Sequence, residues 1–189
     1  MQEQTDIVDL VERATTVAYP IIGAVGPDQW DRPTPCTEWD VRDVVRHLLG
    51  GVGSYLAAYG DPPSVPADEV ADADLLPAMR AADARFLARL RAPGGREAVL
   101  DMGYAEMPAQ MIAGFRAIDL LVHGWDIARA TGQPTPDDPE AYEAALAFSR
   151  QAMEGLDRAS FDMFAEPTDV ADDAPAADRL AAFLGRPVR

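Results

Sequence analysis

Three observations predict an all-α fold, a bundle of helices around one core. Apolar residues recur at helical spacing through most of the chain, clusters of Gly and Pro punctuate the periodic segments, and strand-like alternation is nearly absent. At 189 residues, 48% of them hydrophobic, the chain can bury a complete core, so residues 1–189 are expected to form a single domain with its core over about residues 5–156.

The first helix is expected over about residues 5–25, because Ile7, Val11, Ala14, Ala18, Ile21 and Val25 form one stripe. Thr5 or Asp6 can cap it, and Pro20 should kink it. Pro27, Pro33 and Pro35 prevent the next segment from continuing the helix. Thr37 can then cap a second helix over about residues 38–59, with Asp40 three residues on. Pro62, Pro63 and Pro66 mark a connection to a third helix, about residues 74–91, with Leu75, Met79, Ala82, Phe86 and Leu90 inward. Pro93-Gly94-Gly95 ends it, and residues 98–104, without a clear period, suit an extended stretch.

A fourth helix starts near Pro108, where a first-turn proline is tolerated, and runs to Ala130 before Gly132 and Pro134 stop it. Asp138-Pro139-Glu140 opens a fifth, to about residue 156, with acids at the positive end of its dipole. From Asp157 the chain is expected to be irregular apart from one short helix at Pro175 to Leu184. The second-to-third and third-to-fourth connections are longer than helical hairpins need, so one of them is expected to be a crossover.

Composition excludes several functions. The formal charge is −16, and all sixteen basic residues are arginine. The modest cluster Arg80, Arg85, Arg89 and Arg91 is surrounded by acids, which argues against nucleic acid as a partner. The single Cys36 excludes an internal disulfide framework and a multi-cysteine zinc site; it precedes a predicted helix start, which can lower a thiol pKa, but buried inert cysteines at such junctions are commoner. The acidic amino terminus does not read as a secretory signal, and no stretch approaches the ~20 apolar residues that span a bilayer. A cytoplasmic protein is the expectation, with no membrane partner and with an apolar flank from which a homodimer could form.

The chemistry concentrates on two histidines. On the fourth helix Asp119 and His123 share a face at i and i+4, and Asp126 extends the same polar stripe beside the apolar residues. His47 lies in the amphipathic run Val41 to Leu49, with Asp43 four residues before it. If the two helices meet, His47, Asp119 and His123 offer three ligands and leave positions open, as in a catalytic rather than a closed zinc site. Asp43 and Asp126 are candidates to orient the histidines from behind. The plainer alternative is a locally paired polar edge, with Asp119 compensated by Arg46, Arg116 or an imidazolium; Trp39 and Trp125 are packing residues or the walls of a pocket. No nucleophile elbow, phosphate loop or Glu-x-x-His pattern appears, and no catalytic residue is assigned.

Two blocks add a resemblance. Pro33 to Gly50, reading PTPCTEWDVRDVVRHLLG, and Asp119 to Ala128, reading DLLVHGWDIA, together with the closing stretch from Asp178 to Arg186, resemble the actinobacterial family of mycothiol-dependent maleylpyruvate isomerase amino-terminal domains. The resemblance implies a DinB-like four-helix bundle, here with an additional helix and a mostly irregular carboxy-terminal tail. It implies a divalent metal, usually Zn2+ with Ni2+ as the alternative, held by His47, Asp119 and His123, and mycothiol as cosubstrate. The isomerase places glutamate at the acidic position, so Asp119 is a departure by one methylene, and its second domain exceeds what this chain can hold. The expected function is therefore a metal-dependent transferase or isomerase-like enzyme that uses a low-molecular-weight thiol and an electrophilic small molecule. The alternative is a non-catalytic bundle for binding or oligomerisation, with the metal absent or structural.

Overall fold

A computed structural model describes residues 6–62, 64–135, 138–155 and 165–188. Within them the α-helices are Ile7–Gly23 (α1), Val41–Ala58 (α2), Asp72–Arg91 (α3), Ala109–Thr131 (α4), Pro139–Ala152 (α5) and Ala176–Phe183 (α6). A 3-10 turn at Ala67–Glu69 precedes α3, and the strands Val99–Asp101 (β1) and Glu106–Pro108 (β2) pair antiparallel just before α4. The all-α expectation holds, and the aperiodic stretch near residue 100 is this small hairpin. The alternative cap Thr5, Pro63 and the first part of the irregular tail lie outside the described residues, whereas the fifth helix stops at Ala152, short of the expected residue 156, with Gly155 at φ 75° beyond it.

Side-chain contacts fix the helix directions. Gln133 Nε2 donates to the Ile21 carbonyl and Arg96, just before β1, pairs with Asp6, so α1 and α4 run parallel. Arg42 pairs with Asp72 at the starts of α2 and α3, while the Tyr59 ring meets Phe86 toward their ends, so these two are parallel as well. Tyr19 bonds Asp83 and Arg91 pairs with Glu12, which sets α1 against α3 in opposite sense. The order is up, down, down, up. The connection from α2 to α3 is the expected crossover: α2, with 18 residues, is about 27 Å long, and the chain between Ala58 and Asp72 can reach back over that length.

Helix α4 is the central element, packed by α1, α2, α5 and α6 and buried on nearly every face. Helix α6 docks on it through Trp125, whose indole N–H donates to Asp178 at 2.7 Å. The arginines of the α3 cluster lie on the surface and are paired within the chain: Arg85 and Arg89 on Asp61, Arg91 on Glu12, and Arg80 over the Tyr19 ring.

One boundary differs from its expectation in a way that matters for the site. Helix α2 starts at Val41, capped by Asp40 and not by Thr37. The Asp40 carboxylate accepts from the Asp43 N–H at 2.8 Å and the Asp43 carboxylate accepts from the Asp40 N–H at 3.2 Å, a complete capping box. Thr37 belongs instead to a tight loop closed by the Pro33–Asp40 bridge and by the Thr34 N–H on the Trp39 carbonyl, with Glu38 at φ 74°. Glu38 is the only described non-glycine residue with positive φ. Pro20, expected to kink α1, lies in its last turn, and the helix continues through it to Gly23.

Candidate metal centre

The site lies where the second turn of α2 faces the middle of α4. Antiparallel packing of these helices brings His47 opposite both Asp119 and His123. The His47 Nε2 is 3.9 Å from Asp119 Oδ2, and the two imidazole rings are edge-to-face with centroids 5.1 Å apart. One donor atom from each of His47, Asp119 and His123 falls within 4.8 Å of the others.

That spacing is compatible with a shared cation. At 3.9 Å the His47–Asp119 pair is too long for a direct hydrogen bond. Two ligand atoms each ~2.0–2.2 Å from one zinc ion stand on the order of 3.3 Å apart in a tetrahedron, so a small closure suits a shared cation. The arginines that could have neutralised Asp119 are engaged elsewhere or remote from it in bonding. Arg116 is fully buried and grips Asp83 with two nitrogens, at 2.8 and 2.6 Å, while donating to the Leu48 carbonyl at 2.7 Å. Arg46 has no bond to Asp119, and its Nε is buried without a partner. The donor set thus fits a divalent cation in number, type and charge.

Burial lowers the pKa of His47, against the upward pull of Asp119, so near neutral pH its imidazole is in the unprotonated form a metal requires. The site is not sealed. The side chain of His47 is 38% exposed and that of Asp119 19%, whereas His123 is 4% exposed as a residue. Gly51, one turn beyond His47, adds no side chain to the same face of α2; a Cβ there would meet only the Tyr55 hydroxyl, at 4.0 Å.

Behind His123 stands Asp126, with no exposed surface, its Oδ2 3.0 Å from Nδ1. A carboxylate only accepts, so the bond assigns the proton to Nδ1 and leaves Nε2 as the ring's lone-pair donor. Of the two candidates for orienting a histidine, Asp126 is thus in contact with one. Asp43 is exposed and committed to the α2 capping box, away from the His47 ring.

Trp39 lies over both imidazoles, with centroids 4.7 Å from His47 and 5.7 Å from His123, and walls one side of the site. Trp125 does not; it is buried against α6. Cys36 also reaches this region, within 4.8 Å of His123 and Asp126. Burial pushes its thiol pKa up in spite of the neighbouring Arg186, and α2 begins five residues later, so no helix terminus activates it. The residue that sequence reasoning missed is Arg186: its guanidinium reaches Asp126 at 3.2 Å and the Cys36 sulfur at 3.3 Å. Helical periodicity carries no signal that links residue 186 to residue 126.

Comparison with known sequences adds an independent line. The sequence profile described as mycothiol maleylpyruvate isomerase N-terminal domain matches residues 11–128, a span that includes the three candidate ligands. Two Mycobacterium tuberculosis proteins, uncharacterized protein Rv0738 of strain H37Rv and uncharacterized protein MT0763 of strain CDC 1551, are each 38% identical over 181 residues, covering 94% of this chain and 96% of theirs. No solved structure gives a significant match.

Proposed function

The chain belongs to the mycothiol maleylpyruvate isomerase N-terminal domain family, and we propose that it is a divalent-metal enzyme that presents a low-molecular-weight thiol, mycothiol foremost, to an electrophilic small molecule. One observation carries the reading: three donors of the right kind converge from two helices while His47 and Asp119 stay open to solvent. A closed structural site would offer four protein ligands and no approach.

In this reading His47, Asp119 and His123 hold Zn2+, with Ni2+ as the alternative ion. The cation supplies Lewis acidity and a local positive charge that favours the thiolate form of a bound thiol at neutral pH. The chain supplies the rest. Asp126 fixes the tautomer and plane of His123, burial keeps His47 unprotonated, and Trp39 packs against both rings and walls one side of the site. The opening beside Gly51 is where a thiol and its partner can approach. Asp119, shorter than the glutamate the resemblance implies, reaches to within 3.9 Å of the His47 nitrogen, so the departure does not abolish the cluster.

The test is to load untagged protein with zinc or nickel and assay thiol-dependent consumption of activated double bonds and other electrophiles, with mycothiol beside a generic thiol. Metal-dependent turnover that vanishes in His47→Ala and His123→Ala supports the reading. Bound metal with no thiol-dependent turnover and no thiol binding would instead favour a bundle in which the metal serves structure alone.

A further inference from the structure

Arg186 has no part in the three-donor set, yet its guanidinium is spent almost entirely on the ground behind it. Nε lies 3.4 Å from each Asp126 carboxylate oxygen, Nη2 donates to Asp126 Oδ2 at 3.2 Å and to Cys36 Sγ at 3.3 Å, and Nη1 donates to the Leu184 carbonyl at 2.9 Å. The Arg186 side chain is 11% exposed and that of Asp126 is 0%. A buried carboxylate shared between one imidazole and one guanidinium is held by both, and its orientation on the ring depends on each.

The chain aims this arginine deliberately. Helix α6 ends in a Schellman turn: the Gly185 N–H bonds the Ala182 carbonyl, the Arg186 N–H bonds the Ala181 carbonyl at 2.9 Å, and Gly185 adopts φ 85°. The left-handed glycine reverses the chain and returns residue 186 toward α4. The other end of the contact is equally defined, since Cys36 sits in the loop that also carries Trp39 over the two imidazoles.

We propose that Arg186 is the positioning residue of the metal centre, acting through Asp126 to orient His123 and through Cys36 to seat the loop that bears Trp39. The carboxy-terminal arm is then a working part of the site and not a trailing end. The inference rests on the metal-binding reading for one of its consequences and stands on hydrogen-bond geometry for the other. With Arg186 in place, Asp126 accepts from His123 Nδ1–H in one orientation; without it, the carboxylate is free to rotate or recruit water, and His123 samples both tautomers.

The test combines a double-mutant cycle with a spectroscopic readout. Zinc affinity is measured by chelator competition for wild type, Arg186→Gln, Arg186→Lys, Asp126→Asn and the Gln/Asn double variant. Arg186→Gln should weaken zinc binding roughly 10–100-fold, the range of lost partners behind a metal ligand. Arg186→Lys should recover part of this, and Arg186→Gln should cost markedly less once Asp126 is already Asn, the remainder being what the Cys36 contact contributes. Nitrogen-15 spectra of the metal-free protein in mildly alkaline buffer should show His123 as the Nδ1–H tautomer in wild type and a mixture in Arg186→Gln.

Helix α6 remains docked through Trp125–Asp178 and Arg129–Asp178, so these variants are expected to fold. Losses that add in the double variant, or wild-type affinity with an unchanged tautomer in Arg186→Gln, overturn the proposal. Wild-type protein that binds no zinc defeats the metal reading by itself, and the tautomer experiment then decides the role of Arg186 alone.

Discussion

At the scale of single residues, the acid at position 119 is the one charged donor among the three candidate ligands. Its carboxylate, 19% exposed, faces His47 at a distance too long for a hydrogen bond, while Arg116 is engaged on Asp83 and Arg46 makes no bond to it. Asp119→Asn should therefore lose metal affinity measurably in a chelator competition, whereas Asp119→Glu, which restores the acid implied by the family resemblance, should keep it. Loss in both, or in neither, contradicts the ligand assignment. The three donors were legible in the sequence because an acid and a histidine at i and i+4 share a helix face whatever the tertiary structure does. That they meet His47 was not legible from spacing, since it depends on how α2 packs on α4. The role of Arg186 was not legible, although the family resemblance includes the stretch that ends on it, because its approach depends on a left-handed turn at Gly185 and on a chain reversal after α6.

At the scale of elements, helix caps decide boundaries that periodicity leaves loose. The sequence offers Thr37 as the cap of the second helix with Asp40 inside it; the capping box between Asp40 and Asp43 moves the start to Val41, and it commits the Asp43 carboxylate to the Asp40 N–H. Asp138 caps α5 by accepting from the Ala141 N–H at 3.1 Å and binds Arg13 on α1. Asp138→Ala should cost about 1 kcal/mol, mainly the cap, because the half-exposed ion pair adds little. The Arg13 hydrogen bonds hold the Asp138 pKa below its ordinary 3.8 in the folded state. The unfolded chain thus takes up a proton first on acidification, so the contribution is complete above that value and is lost as pH falls below it. Urea unfolding of wild type and Asp138→Ala should accordingly give a gap at neutral pH that narrows in strong acid; a gap that widens contradicts the assignment. Gly95, after α3, has no such latitude: a Cβ there would fall 2.0 Å from the Arg89 carbonyl oxygen, and the position also offers its own carbonyl to the Tyr59 hydroxyl. Gly95→Ala must move backbone and should lower the unfolding midpoint without changing metal content.

At the scale of the molecule, the up, down, down, up order follows from the long proline-bearing connection between α2 and α3, whose length the sequence shows and whose path it does not. The four long helices are cross-tied by one buried cluster that sequence patterns did not reveal: Arg116 on α4 binds Asp83 on α3 and the Leu48 carbonyl on α2, and Tyr19 on α1 donates to Asp83 at 2.6 Å. Removing one charge from such a pair leaves the other buried and uncompensated, at a cost of about 3–5 kcal/mol. Asp83→Ala should therefore unfold far more readily than Tyr19→Phe in thermal or urea denaturation, and similar small losses would contradict a tie of this kind. The cluster holds α2 against α4 next to the site, so it also maintains the distance between His47 and Asp119. Among the described residues no helix is long and apolar enough to cross a membrane.

The central claim is that His47, Asp119 and His123 hold one divalent cation, and elemental mass spectrometry on untagged protein tests it most directly. Wild type reconstituted with zinc or nickel should carry close to one ion per chain after desalting, and His123→Ala, folded by circular dichroism, should carry almost none. Wild type that stays free of metal after reconstitution, or a His123→Ala variant that retains the full complement, would contradict the account.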